Sequence, residues 1–416
     1  MFRQYVTNNS KSMRGGPKLN KKKWIISAVS ILLITNILSV YIGSTKLLSL
    51  PNGRIVTRKE IGEFQKIFEI KNQLHKYYAL GDVKDEVLAD GAVKGMTASL
   101  EDPYTVFMNK VDYESFNSTM KGVYSGVGIV VEVEPKEDKI LVQSVFDESP
   151  AKKAGILPND QIVKVDGKAV SGKSLDVAVT SIKGKDGTFV TVSFYREGKG
   201  EFDVKLIRQK ITTPNIKAQI LNNNIGYIQM GMFDASTGKE FSNKLAELKL
   251  KNIKGLVLDL RQNGGGYLDQ CVEVTSNFVK KDDIVVSTVD KNNKKEIERS
   301  TGGIFYGMPL VVLVDGNTAS ASEVFSGAIR DYKVGTIVGT KTFGKGIVQK
   351  TFEDIDGTAL KVTISKYYSP LGININKIGI TPDIVIEDAN AIKNKGDINK
   401  DIQLQKAVEI MKDKVK

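Results

Sequence analysis

Trp24–Gly43 (WIISAVSILLITNILSVYIG) is a run of twenty residues without a charge, and it lies directly behind Lys21-Lys22-Lys23. About 20 apolar residues in a helix span the hydrocarbon core of a bilayer, so the run predicts one N-terminal transmembrane helix. Lysines on one side, with Trp24 and Tyr41 near the ends, fit an interfacial anchor whose N-terminus is cytoplasmic. The alternative is a cleaved signal peptide, whose apolar stretch is usually roughly 7–15 residues long and closes on an A-x-A-like site. No such site follows here, which favours a retained anchor. Under either reading the chain beyond residue 44 lies outside the cytoplasm, so the expected location is a single-pass cell-membrane protein.

The same segment accounts for much of the charge. A formal net charge of +12 suggests nucleic acid at first sight. Seven of those charges, however (Arg3, Lys11, Arg14, Lys18, Lys21, Lys22 and Lys23), precede residue 24 with no acid among them. Beyond them lysines and glutamates are interspersed, as on a solvated surface. No basic stripe with interleaved aromatics occurs, and nucleic-acid binding is not expected. Cys271 is the only cysteine and His75 the only histidine. That excludes an intramolecular disulfide and a cysteine-based zinc site, and no metal or cofactor is expected.

With 416 residues the chain can build two or three domains. Residues 1–23 read as a basic cytoplasmic tail, 24–43 as the anchor and 44–56 as a linker with a turn signal at Pro51-Asn52-Gly53. Residues 57–120 read as an N-terminal helical region. Ile61, Phe64, Ile67, Phe68, Ile70 and Leu74 recur there at three- and four-residue steps, and Thr57-x-x-Glu60 is a capping box that opens the run. His75 reads as a partly exposed residue at its end. From 121 to 208 short strands and turns take over. Strands are expected at Gly128–Val133, Lys139–Val145, Gln161–Val165, Phe189–Tyr195 and Glu201–Ile207, with helices at Ser149–Ala154 and Ser174–Ile182. From 209 to 388 strands alternate with helices, which predicts an α/β core with a mostly parallel sheet and flanking helices. Gly255–Leu260 and Leu310–Val314 are continuous apolar runs, as in strands buried on both faces. Residues 389–416 form a C-terminal segment with an amphipathic helix at Asp401–Met411.

Three polar motifs stand out in the core, where chemistry collects at the carboxyl ends of parallel strands. The first, Asp315-Gly-Asn-Thr-Ala-Ser320-Ala-Ser-Glu323, places a serine at a strand-to-helix turn. Free helix N–H groups there can hold an oxyanion, yet Ser320-x-x-Glu323 is equally a capping box. The second, Asp259-Leu-Arg-Gln-Asn-Gly-Gly-Gly266, lets backbone approach a ligand closely; a bare tight turn or a phosphate cradle are the alternatives. The third, Gly339-Thr-Lys-Thr-Phe-Gly-Lys345-Gly346, resembles a P-loop but has Gly346 where Ser or Thr must hold Mg²⁺. It also runs into the strand pattern Ile347–Phe352 rather than a helix, so nucleotide is not expected. Lys345 and Gln349 are four apart, and on a strand they share a face.

The histidine count selects among catalytic schemes. A Ser–His–Asp triad would have to recruit His75 from the N-terminal helical region, and an H-E-x-x-H metallopeptidase needs two histidines. A lysine base remains, as in known Ser–Lys variants. Free lysine titrates at about 10.4, so such a base must be desolvated to work near neutral pH.

Together these residues resemble the carboxy-terminal processing (tail-specific) proteases, serine peptidases with an inserted PDZ domain. The resemblance covers nearly all of residues 57–411. It includes Asp102-Pro-Tyr-Thr, Ser125-Gly-Val-Gly-Ile129, Ser149-Pro-Ala-Lys-Lys-Ala-Gly155, Asp160-Gln-Ile-Val-Lys-Val-Asp-Gly167 and the three core motifs. It implies an α/β, crotonase-like catalytic core with a β-rich PDZ domain inserted at 121–208. It also implies Ser320 as nucleophile, Lys345 as general base and Gln349 as the residue that orients the lysine. The amides of Ala321 and of Gly265 or Gly266 would form the oxyanion hole. Ser125, Gly126, Val127, Gly128 and Ile129 would capture the apolar C-terminal tail of a protein substrate, as a peptide added to a sheet edge.

Two positions depart from the family pattern. Asn263-Gly-Gly-Gly266 stands where Asn-Pro-Gly-Gly is common, and Lys183 stands where an arginine is common. If that arginine couples the PDZ domain to the catalytic site, lysine lacks its bidentate fork. The competing reading is a non-catalytic, membrane-anchored PDZ adaptor, against which intact Ser320, Lys345 and Gln349 argue. The apolar faces of helices at 57–78 and 401–411 suggest a homodimer.

Overall fold

The runs GLVLD and LVVLV become adjacent, fully buried parallel strands, Gly255–Asp259 and Leu310–Val314. Alternation decides what each side chain meets, since successive residues of a strand point to opposite faces. Leu256, Leu258, Val312 and Val314 join one apolar cluster with Phe241, Leu245, Cys271, Val274, Phe325 and Ile329 of three helices. Val257, Val311 and Leu313 join the other, under Leu404, Ala407, Val408 and Met411 of the C-terminal helix. The helices Thr237–Leu250, Leu268–Ser276 and Ala321–Asp331 thus cover one face and Ile402–Lys414 the other.

The computed structural model describes residues 21–44, 48–49, 55–56, 58–134, 137–212 and 215–415. The basic tail before Lys21, the Pro51–Gly53 turn and the Thr57 cap lie outside the described residues. The chain forms two units, residues 1–93 and 94–416. In the first, the helix Lys21–Ser44 carries the apolar run, with its large apolar side chains from Trp24 to Leu38 exposed; by length and composition it can cross a membrane. The stretch expected as a linker contains a two-residue antiparallel pair, Leu48–Ser49 with Ile55–Val56. The next helix, Arg58–Tyr77, carries His75, whose Nε2 lies 2.6 Å from Asp85 Oδ1.

In the second unit the expected helical region is interrupted. Val106–Met108 is a strand, antiparallel to Ala359–Lys361, before the helix Lys110–Met120. Three residues cannot announce a strand by periodicity; the distant partner imposes it. Ile129–Glu134, Lys139–Val145, Gln161–Val165, Phe189–Arg196 and Gly200–Ile207 then form an antiparallel sheet in the order last, fourth, third, second, first. It closes over its own core of Ile140, Val142, Ile162, Val192 and Phe194. A two-stranded ribbon, Val123–Gly126 with Gln209–Thr212, joins the ends of this domain.

The core sheet runs Ile216–Leu221, Ile225–Met230, Gly255–Asp259, Leu310–Val314, Thr336–Gly339, Ile384–Val385; the first pairing is antiparallel and the rest parallel. A second sheet, antiparallel throughout, orders Lys295–Arg299, Ile284–Asp290, Ala359–Tyr368 and Ile347–Glu353.

Candidate active site

Gly255–Asp259, Leu310–Val314 and Thr336–Gly339 are consecutive neighbours in the sheet. Parallel neighbours lie about 5 Å apart, so the three loops at their carboxyl ends are forced together. Each loop is one of the three sequence motifs. They are bonded to one another. Gln262 N and Nε2 donate to the Asp315 carboxylate at 3.0 and 2.5 Å. Ala319 N–H and Ser322 Oγ–H both donate to the Asn263 carbonyl at 3.0 Å. Phe343 N–H reaches Thr318 O at 3.1 Å.

Ser320 occupies the turn into the helix Ala321–Asp331 with φ 56° and ψ −118°. A non-glycine residue at positive φ costs energy and marks an over-determined position. The determinant is Glu323, 1% exposed. Its Oε2 accepts Ser320 N–H at 3.0 Å and Lys345 N–H at 2.8 Å, and its Oε1 accepts Thr342 Oγ1–H at 2.6 Å and Gly344 N–H at 2.8 Å. The reach-back arm of the expected capping box therefore does more than cap a helix: one buried carboxyl group ties the Ser320 backbone to the Lys345 loop. Tyr367 Oη–H donates to Ser320 O at 3.2 Å from the second sheet.

Ser320, Lys345, Gln349, Gly266, Lys361 and Tyr367 line one cavity of about 680 Å³. Lys345 is half-buried, and its Nζ lies 4.4 Å from the centre of the Tyr104 ring. Burial first, then the like charge of Lys361, hold its amine down to about 8, against the pull of Asp102 and Glu323. The free base is thus accessible near neutral pH, the condition a lysine base must meet. Burial lowers Lys361 as well.

One expectation needs correction. Lys345 is not on the strand with Gln349: the strand begins at Ile347, and its register shifts between Val348 and Gln349, so four-residue spacing does not set a shared face. Gln349 Nε2 faces Thr363 Oγ1 at 3.5 Å. Among the described residues no hydrogen bond joins Lys345 Nζ to Gln349 or to Ser320 Oγ. The Gly346-to-strand passage does form, with no helix where a P-loop would need one.

The glycines differ in use. Gly265 N–H is already held by Asn263 Oδ1 at 3.0 Å. A Cβ on Gly265 would lie 2.8 Å from Ser320 Cβ, and one on Gly266 only 2.1 Å from Phe233 O; both have positive φ. Gly264 has open space at its Cβ. The N–H groups of Gly266 and Ala321 donate to nothing among the described residues and belong to residues that line the cavity.

Ser125, Gly126, Val127, Gly128 and Ile129 line a separate groove of about 240 Å³, closed by Phe146, Val179, Ile182, Lys183 and Ile211. Ser125 Oγ is buried without a hydrogen-bond partner. Just behind, the Arg208 guanidinium donates to the carbonyls of Ser181, Ile182 and Phe189 at 2.6–3.0 Å, pinning the segment that holds Lys183.

Sequence reasoning named Glu323 only as a cap and gave Tyr104, Lys361 and Tyr367 no role. The sole available signals were the capping box and the Asp102-Pro-Tyr-Thr motif; nothing local marks a lysine or tyrosine that arrives from another sheet. No group of three or more His, Cys, Asp or Glu suited to a metal occurs among the described residues.

Comparison with known proteins places these features. Residues 224–386 match peptidase family S41, residues 127–206 a PDZ domain, and residues 40–111 the N-terminal domain of the activating protease CtpB. The carboxy-terminal processing protease CtpA of Bacillus subtilis (strain 168) is 34% identical over 404 residues, covering 93% of this chain and 86% of that protein. The probable CtpA-like serine protease of Staphylococcus aureus (strain COL) is 34% identical over 388 residues, covering 92% and 76%. Among solved structures, a putative S41 protease from Bacteroides fragilis is similar in fold, with a TM-score of 0.55 at 16% identity over 84% of this chain and 98% of that one.

Proposed function

Because the chain belongs to the carboxy-terminal processing proteases, a family of serine peptidases, we propose that it is a Ser/Lys endopeptidase that captures the C-terminal tails of protein substrates. The observation that carries this reading is Ser320 at a strained turn, sharing a cavity with a lysine whose amine is held near 8. Neutral Lys345 takes the proton of Ser320 Oγ as that oxygen attacks the peptide carbonyl carbon. Ala321 N–H and Gly266 N–H receive the developing oxyanion, while Gly265, its own N–H engaged, supplies the close approach. The Lys345 ammonium then protonates the leaving amide nitrogen as the C–N bond breaks, and water hydrolyses the acyl-enzyme by the reverse proton path.

Lys345 must turn toward Ser320 Oγ, and Gln349 from Thr363 toward the lysine, in the substrate complex; catalytic hydrogen bonds commonly tighten only there. The apolar groove with its unpartnered Ser125 Oγ suits an extended, weakly apolar tail lying along the edge of strand Ile129–Glu134. The helix Lys21–Ser44 would anchor the enzyme with its catalytic part outside the cytoplasm, and a homodimer is part of the same reading. Domain limits of 121–208 for the PDZ domain and 209–388 for a crotonase-like core are supported by the closed β-rich cluster and the four parallel pairings.

The full-length protein in detergent tests this on an internally quenched peptide with an apolar tail. Ser320→Ala and Lys345→Ala should each lower kcat/KM by at least about 10³-fold. The parent should gain activity as pH rises through about 8, the lowered Lys345 value, because the base is the deprotonated form. Unchanged turnover in Lys345→Ala would remove the mechanism.

A further inference from the structure

Lys345 is covered by a segment that precedes both the groove-bearing domain and the peptidase core. Asp102-Pro103-Tyr104-Thr105 forms a tight turn: Thr105 N–H donates to Asp102 O at 3.2 Å. The Asp102 carboxylate binds Tyr104 N–H at 3.0 Å and Thr105 Oγ1–H at 2.6 Å. Proline within the turn limits its backbone freedom further. The buried Thr105 Oγ1 also accepts Thr363 N–H at 3.1 Å, which docks the turn on the strand Ala359–Tyr368 directly across from Gln349. So held, Tyr104 presents its ring to the Lys345 ammonium at 4.4 Å.

We propose that Tyr104 is a positioning residue for the general base: its ring walls Lys345 Nζ off from water and holds the ammonium that forms when Ser320 gives up its proton. The inference rests on Lys345 being that base. A ring face attracts a cation, more strongly when desolvated, while the bulk of the ring removes hydration that would favour the charged amine. The two influences oppose each other in the resting enzyme; burial is the leading cause of the lowered Lys345 value. The other charged groups facing the lysine are Lys361 on the same strand as Thr363, Asp102 in the turn itself and Glu323 on the helix after Ser320. Of these, only Asp102 moves with the turn, and its attraction for the ammonium works against the lowered value.

The test is the pH profile of kcat/KM for the full chain on the same quenched peptide. Tyr104→Phe keeps the ring and should retain both rate and profile. Tyr104→Ala should move the acidic limb up by about one pH unit and lower the rate at pH 7.5 roughly tenfold, with most of the loss recovered above pH 9. Thr105→Val, which loosens the turn without emptying it, should shift the limb in the same direction by less, and it decides the matter if the alanine variant does not fold. A limb that stays in place or moves down in either folded variant overturns the inference, as does a shifted limb in Tyr104→Phe. Activity surviving in Lys345→Ala would instead fell the general-base reading beneath it.

Discussion

The cavity at Ser320 and the groove at Ser125–Ile129 are built on opposite principles. Around Ser320 nearly every polar atom is committed: Glu323 takes four donors, Asp315 binds the neighbouring loop, and Asn263 holds both Ala319 and Ser322. Among the described residues there, the amides of Gly266 and Ala321 are left as free donors. The groove at Ser125–Ile129 is mostly apolar, lies along a strand edge, and keeps a buried hydroxyl unpaired. Fixing donors in advance spares reorganisation when charge develops. A groove that reads tails of varied sequence needs an open edge and few committed groups. On the proposed function, the catalytic loops are braced and the groove is left to be completed by a ligand.

The sharpest way to break this contrast is Glu323→Ala. It strands a hydroxyl and three backbone N–H groups in a buried place, each costing about 1–3 kcal/mol, so a loss of several kcal/mol in stability and about 10²-fold or more in kcat/KM is expected. Thermal unfolding and steady-state kinetics measure the two. Glu323→Gln, which keeps one acceptor oxygen, should lose less of both, and a neutral Glu323→Ala would show that the bracing is ornamental.

Next in size is the pair Gly266→Ala and Gly264→Ala. The first drives a methyl into Phe233 O at positive φ and should cost on the order of tenfold or more in kcat, as for a displaced oxyanion donor. The second meets open space and should change kcat less than about twofold, within the usual ±0.5 kcal/mol of a surface change. Equal effects would mean that the loop tolerates no change anywhere, and not that it aims one amide.

The smallest effect belongs to the groove. Val179→Glu places a charge among its apolar walls and should weaken a tailed peptide about tenfold, by calorimetry or by KM, in line with 1–3 kcal/mol for burying a poorly matched polar group. Hydrolysis of a short peptide without a tail should stay unchanged. A matching loss on both substrates would mean that the groove acts on the catalytic loops and is more than a capture site.

The five strands of the groove-bearing domain and the last helix were legible to within one to three residues, because alternation and capping depend on near neighbours. The strand Val106–Met108 was hidden inside a helical region, since its only cause is a partner at Ala359–Lys361. Lys345 was placed on a strand that begins two residues later. Gly265 was offered as an amide donor, although Asn263 Oδ1 already holds that N–H. Each error has one source: spacing along the chain was made to stand for geometry across it.

By itself, then, the sequence determined the anchor-like helix, the alternation of elements, the absence of a second histidine, and the serine, glycine and lysine motifs at strand ends. Those follow from composition and local period. Strand order alone decided that the three motifs should meet, that a helix-capping glutamate should bind two loops at once, and that a tyrosine from far upstream should cover the lysine. Such contacts depend on which strands become neighbours, and that is settled only when both faces of the sheet are buried together.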